Sequence, residues 1–166
     1  MPNEPGSDAW RRWLDENAGR LLLFARQQCR TAADAEDVVQ EALVESWQRT
    51  GAGGLPPLPL VFATIRRRAI DRARSDDSRR LREDASAVTD ELWFDIDMGE
   101  RELCALVESG VKALRGDFRE VVTLKLWGGL TFSEIAEILS IPANTAASRY
   151  RYGIEALRTS LKDLVT

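Results

Sequence analysis

Apolar positions recur at helical spacing along nearly the whole chain, and no stretch sustains strict apolar–polar alternation, so a sheet is not expected. Trp10, Trp13, Leu14, Leu21, Phe24 and Ala25 share one face of a first helix, with Gly19 weakening its middle. Thr31 is placed as the N-cap of a second helix, in which Ala35, Val39, Leu43 and Trp47 repeat at every fourth position. A Gly/Pro loop follows from Gly51 to Pro59, then a third helix over Leu60–Arg74 with Pro59 near its start. From Ser75 to about Asp97 the chain is polar with weak periodicity and reads as a linker. A fourth helix is expected from Met98 to Leu114 and a fifth from Asp117 to Trp127, ended by Gly128-Gly129. The pattern is all-α: two small helical domains, 8–80 and 98–165, joined by a linker over 81–97.

The last part of the chain carries the sharpest local signal. Thr131 followed by Glu134 has the form of a capping box, in which the hydroxyl accepts from the Glu134 amide and the carboxylate accepts from the Thr131 amide. The helix behind it buries Ile135 and ends at Ser140-Ile141, where a turn usually has Gly. Pro142 suits the first turn of a last helix whose apolar stripe is Ala146, Tyr150, Ile154, Leu157 and Leu161. A short helix, a tight turn and a longer helix make a helix-turn-helix, with Ala136 small enough for the corner. The outward face of the last helix offers Asn144, Thr145, Ser148, Arg149, Arg151 and Tyr152. Short hydrogen-bonding groups come first and cations with an aromatic follow, an order that suits base edges flanked by phosphates. An ordinary helical hairpin with a solvated polar face gives the same periodicity.

Composition removes several chemistries. The 166 residues contain no histidine, which excludes imidazole catalysis, imidazole metal ligation and histidine pH switching. Two cysteines, Cys29 and Cys104, form no CxxC pair and assemble no zinc site. No cofactor-binding motif and no Gly-rich phosphate loop is found, so neither a cofactor nor an enzyme activity is expected. The longest strongly apolar run, Leu21 to Ala25, is too short for a bilayer, and no signal-peptide pattern precedes it. A reduced, cytoplasmic chain is the simplest reading.

A net charge of -4 conceals blocks of opposite sign. Arg66 to Arg82 holds eight arginines against three aspartates, Glu83 to Glu102 eight acids against one base, and Thr31 to Thr50 five acids against one base. On the second helix Asp34, Asp37, Glu41 and Glu45 form one stripe, with Gln40 beside it. Like charges at this spacing destabilise a lone helix by roughly 0.2–0.5 kcal/mol per pair, so a basic surface is the natural cover. A solvated acidic face is the plain alternative, and a regular helix does not converge these carboxylates on a metal. On the third helix Arg66, Arg67, Arg68, Arg72 and Arg74 surround Phe62, Ile65, Ala69 and Ile70, an electrostatic footprint for a phosphate backbone. Internal pairing with the acidic linker is the other reading of these arginines.

Four segments in order, Asp34-Ala-Glu-Asp-Val-Val-Gln-Glu41, Phe62-Ala-Thr-Ile-Arg-Arg-Arg-Ala-Ile-Asp-Arg72, Gly129-Leu-Thr-Phe-Ser-Glu-Ile-Ala-Glu-Ile-Leu139 and Asn144-Thr-Ala-Ala-Ser-Arg149, resemble the extracytoplasmic function (ECF) group of the bacterial sigma-70 family. The resemblance covers almost the whole chain. It implies a protein that binds core RNA polymerase, recognises two promoter elements and helps open promoter DNA. It implies that Asp34, Asp37, Gln40, Glu41 and Glu45 dock on a coiled coil of the large polymerase subunit. It implies that Arg66, Arg67, Arg68, Arg72 and Arg74 melt and read the downstream (minus-ten) element. It implies that Asn144, Thr145, Ser148, Arg149, Arg151 and Tyr152 serve the upstream (minus-thirty-five) element, and that the acidic linker runs near the RNA exit path. Two positions depart from the family pattern: Arg67 stands where Asn is common at a site holding a flipped-out base, and Ala147 where a basic residue is common. As a donor-only group, Arg67 is expected either to favour a base that offers acceptors or simply to hold a phosphate.

The competing reading is a stand-alone helix-turn-helix regulator, which accounts for 131–158 but not for the acidic and arginine helices. With no further domain expected past the helix-turn-helix, control is expected from a separate anti-sigma factor or from expression level.

Overall fold

The computed structural model describes residues 5–51, 54–79 and 98–165, which contain seven α-helices and no strand. The chain divides into two compact units, residues 1–90 and 91–166.

The first unit contains α1 (Pro5–Gln28), α2 (Ala32–Thr50) and α3 (Leu58–Arg79). Thr31 caps α2 as its sequence requires: the backbone is extended and the hydroxyl accepts from the Asp34 amide at 3.1 Å. The three helices meet through Leu21, Phe24 and Ala25 of α1, Ala35, Val38, Val39 and Ala42 of α2, and Val61, Phe62 and Ile65 of α3, all buried. Phe24 and Phe62 sit at its centre, edge to face with ring centroids 5.3 Å apart.

Two sequence expectations change here. Residues at every fourth position drift about 40° per step around a helix of 3.6 residues per turn. The stripe starting at Ala35 has therefore left the core by Trp47, which is 54% exposed, while Val38, Ala42 and Ser46 take the buried side. Trp47 instead stacks on Trp10 (6.2 Å), which in turn stacks on Trp13 (5.3 Å). The third helix also begins at Leu58 and continues past Arg74 to Arg79. Its extension over 75–79 has no glycine or proline to stop it. The linker 81–97, which includes Arg82, lies outside the described residues, as do Arg80 and the Arg79 side chain.

The second unit contains α4 (Met98–Lys112), α5 (Gly116–Leu126), α6 (Phe132–Leu139) and α7 (Ala143–Val165). Its core joins Val111, Leu114, Val122 and Leu157, with Val107, Trp127, Tyr150, Ile154 and Leu161 packed around them. Arg119 of α5 donates to the Lys112 and Leu114 carbonyls at 3.1 and 3.0 Å, satisfying acceptors at the end of α4. The α5–α7 crossing is close because position 153 is Gly; a Cβ there would lie 2.6 Å from Val122 Cγ2. Both bonds of the Thr131–Glu134 capping box are present, at 3.1 and 2.9 Å. Ser140 ends α6 at φ 55°, ψ 47°, the left-handed turn for which glycine is the usual choice. This turn sets α6 and α7 as a helix-turn-helix, with Ala136 and Ala146 buried.

Candidate nucleic-acid and docking interfaces

In the first unit, the acidic stripe of α2 and the arginine cluster of α3 are one network. Glu45 accepts from Arg67 and, at 2.8 Å, from Arg68 Nε. Glu41 accepts from Arg68 Nη1 at 3.1 Å and lies 3.4 Å from Arg72 Nη2. Arg72 Nη1 lies 3.4 Å from both Asp34 and Asp37. The basic surface that the α2 carboxylates call for is therefore supplied largely by the neighbouring helix. The reason is geometric: α2 and α3 pack side by side, so charges that are far apart in sequence face each other across the seam. Arg67, Arg68 and Arg72 carry these contacts from α3, and Arg74 is exposed.

Glu45 is the most enclosed member, its side chain 18% exposed. Burial pushes its carboxyl up, but hydrogen bonds from Arg68 and Arg67 outweigh that and hold it below the ordinary range. Arg68 is raised in return, first by its hydrogen bond to Glu45. Asp37 remains 60% exposed and Glu41 44%. Beside them an open groove of about 370 Å³ is lined by Gln40, Glu41, Val44, Glu45, Gln48 and Arg68. Val44 and Gln48 lie within the acidic helix but, being uncharged, do not stand out in its charge pattern. The available signal was an apolar residue on the polar side of the helix, one turn after Gln40; Val44 is 55% exposed.

In the second unit, a groove of about 460 Å³ runs along the start of α7. One wall is Asn144, Thr145, Ser148, Arg149 and Tyr152, five of the six residues proposed from sequence. Arg151 stands outside the groove with its guanidinium 5.2 Å from the Tyr152 ring centre. The opposite wall is Arg115, Asp117 and Phe118, which precede the helix-turn-helix and carry no motif that marks them in the sequence. The gap between short polar side chains and flanking cations suits base edges and phosphates.

Asp117 ties the two walls together. It accepts from Arg115 Nε at 2.8 Å and from the Phe118 amide at 3.1 Å, and lies 3.9 Å from Arg149 Nε. The Arg115 hydrogen bond, against a smaller opposing effect of burial, lowers its carboxyl from 3.8 to about 2. Because the folded-state value is depressed, the stabilisation is present above the ordinary carboxylate value and is lost as pH falls through about 2. A carboxyl-carbon NMR titration is expected to give a midpoint near 2 for Asp117, moving towards 3.8 in Arg115→Ala. An unchanged midpoint in that variant rules out Arg115 as the cause.

A helix-turn-helix with a concave, arginine-flanked face, carried with a separate three-helix unit, defines a transcription protein of two-region architecture. The family models agree in order: residues 13–79 match sigma-70 region 2 and residues 111–159 match sigma-70 region 4. The chain belongs to the ECF group of the sigma-70 family of RNA polymerase sigma factors. It is 30% identical over 155 residues to the ECF RNA polymerase sigma factor SigL of Mycobacterium tuberculosis, covering 90% of this chain and 87% of SigL. It is 26% identical over 162 residues to SigK of Mycobacterium ulcerans, covering 93% and 86%. The fold is shared with RpoE of Bartonella quintana, solved with the anti-sigma factor NepR (TM-score 0.65, 21% identity, 93% of this chain and 97% of that one). It is also shared with CnrH, solved with the cytosolic domain of CnrY (TM-score 0.63, 20% identity, 94% and 89%).

Proposed function

We propose that this alternative sigma factor docks on core RNA polymerase through the outer edge of α2, reads the upstream promoter element with α7 and engages the downstream element with α3. On α2 the docking residues are Asp34, Asp37, Gln40, Glu41 and Glu45, with Val44 supplying an apolar contact. On α3 the DNA-facing residues are Arg66, Arg67, Arg68, Arg72 and Arg74. On α7 they are Asn144, Thr145, Ser148, Arg149, Arg151 and Tyr152. The chain acts as an initiation factor with no catalytic group of its own, in the cytoplasm with the polymerase, and an anti-sigma factor is its expected regulator. Among the described residues no helix is long and apolar enough to cross a membrane.

The observation that carries this reading is the coexistence, in one chain with both sigma regions, of the polar α7 groove and the α2–α3 charge network. The network gives α3 a definite cost for engaging DNA: Arg67 and Arg68 must exchange Glu45 for phosphates or bases. Run-off transcription from a genomic library with core polymerase tests the function directly and recovers the promoter. No transcript above that of core enzyme alone would remove it.

The α7 assignment has its own test. Arg151→Ala is expected to weaken binding of the full-length chain to the upstream duplex of a recovered promoter. If Arg151 holds a phosphate, the salt slope falls by about one. Binding of the holoenzyme to a single-stranded downstream fragment is expected to stay unchanged. Loss of both together means that the division of labour between the two units is wrong.

A further inference from the structure

We propose that Arg115 is a further phosphate-contacting residue of the upstream DNA surface, held at the groove rim by Asp117 and Phe118. The proposal rests on the reading that the α7 face meets duplex DNA, and it adds a residue from outside the helix-turn-helix to that surface.

Arg115 immediately precedes α5, yet it shares one groove with Asn144, Ser148 and Arg149. Its side chain is 70% exposed, but it is anchored twice. Nε and one terminal nitrogen donate to the Asp117 carboxylate, and the guanidinium carbon lies 4.5 Å from the Phe118 ring centre. Phe118 stacks on Tyr152 with centroids 6.4 Å apart, and Arg151 lies by the other aromatic. The order Arg115, Phe118, Tyr152, Arg151 is a row of two rings with a cation at each end, spanning α5 and α7.

An exposed ion pair between near neighbours in sequence does little for stability by itself. What this one does is remove rotamer freedom from a long side chain before any ligand arrives. A guanidinium has five N–H donors, and the carboxylate engages one edge of it. The remaining donors are left for a second acceptor, and the planar fork suits phosphate oxygens. Asp117 is the one carboxylate of the groove lining, and it stands between Arg115 and Arg149, so its charge is offset on both sides before a phosphodiester approaches. The ligand chemistry is the phosphodiester strand flanking the bases that α7 reads. The alternative role is a clamp that only fixes the start of α5.

The test uses the full-length chain, the upstream duplex of a recovered promoter and fluorescence anisotropy over a series of salt concentrations. Arg115→Ala and Arg115→Gln are expected to bind roughly tenfold more weakly at low salt and to lower the log–log salt slope by about one. Arg115→Lys, which keeps the charge, is expected to keep the slope. Arg151→Ala is measured alongside to test the underlying reading. A slope that falls for Arg151→Ala but stays at the wild-type value for both neutral Arg115 variants overturns the proposal and leaves Arg115 as a clamp. Unchanged affinity and unchanged slope in all three overturn the α7 reading as well. Thermal melting of each variant identifies unfolding, and the glutamine variant, which keeps a hydrogen-bonding side chain, serves if the alanine variant does not fold.

Discussion

Reversing Asp37 and Glu41 to lysine is expected to abolish tight binding to core RNA polymerase. Both carboxylates lie at the exposed edge of α2, and like charges across an interface cost several kcal/mol, which corresponds to an affinity loss of at least about a hundredfold. The network adds a second consequence. The new lysines would face Arg68 and Arg72, the present partners of Glu41 and Asp37, and so would also loosen the α2–α3 seam. Adding Arg72→Glu returns an opposite charge to that seam without restoring an acidic docking edge. The triple variant is therefore expected to recover thermal stability and not core affinity. Core affinity at the wild-type level in the double variant would dismiss the docking assignment; recovery of both properties together would mean that the stripe matters only for folding.

Phe62→Ala is expected to cost the first unit about 3–5 kcal/mol, because a large ring is removed from a core that can close only partly around the void. Phe62 and its edge-on partner Phe24 are both fully buried. A small domain has only about 5–15 kcal/mol in total, so little stability would remain. Urea unfolding followed through α1 and α2 is expected to show the loss, together with reduced core binding. The second unit has its own core around Val111, Val122 and Leu157, so upstream duplex binding is expected to survive. A loss below about 1 kcal/mol would mean that the α1–α3 contact is not the centre of that unit.

Much of this protein is legible without coordinates. Thr31 and the Thr131–Glu134 box announce helix starts because a side-chain oxygen three residues from an orphan amide can serve only that geometry. Pro142 and the position of Ser140 mark the turn, and the stripe Ala146, Ile154, Leu157 and Leu161 orients α7, because these signals depend on neighbours within a turn or two. The resemblance in four ordered segments then supplies the family. All of this is local information, or information repeated in register along the chain.

The tertiary structure decides which distant groups share a surface. The α2 carboxylates and α3 arginines read as two separate sites in sequence, and helix packing makes them partners, with Glu45 bonded to both Arg67 and Arg68. Trp47 fits a fourfold repeat on paper and leaves the core because that repeat drifts around a real helix. Arg115, Asp117 and Phe118 carry no motif, and only the α5–α7 crossing at Gly153 brings them to the recognition face. Local geometry follows from the chain's own dihedral preferences and end caps, whereas charge pairing and groove walls depend on which helices meet, and that is set by burying several apolar stripes at once.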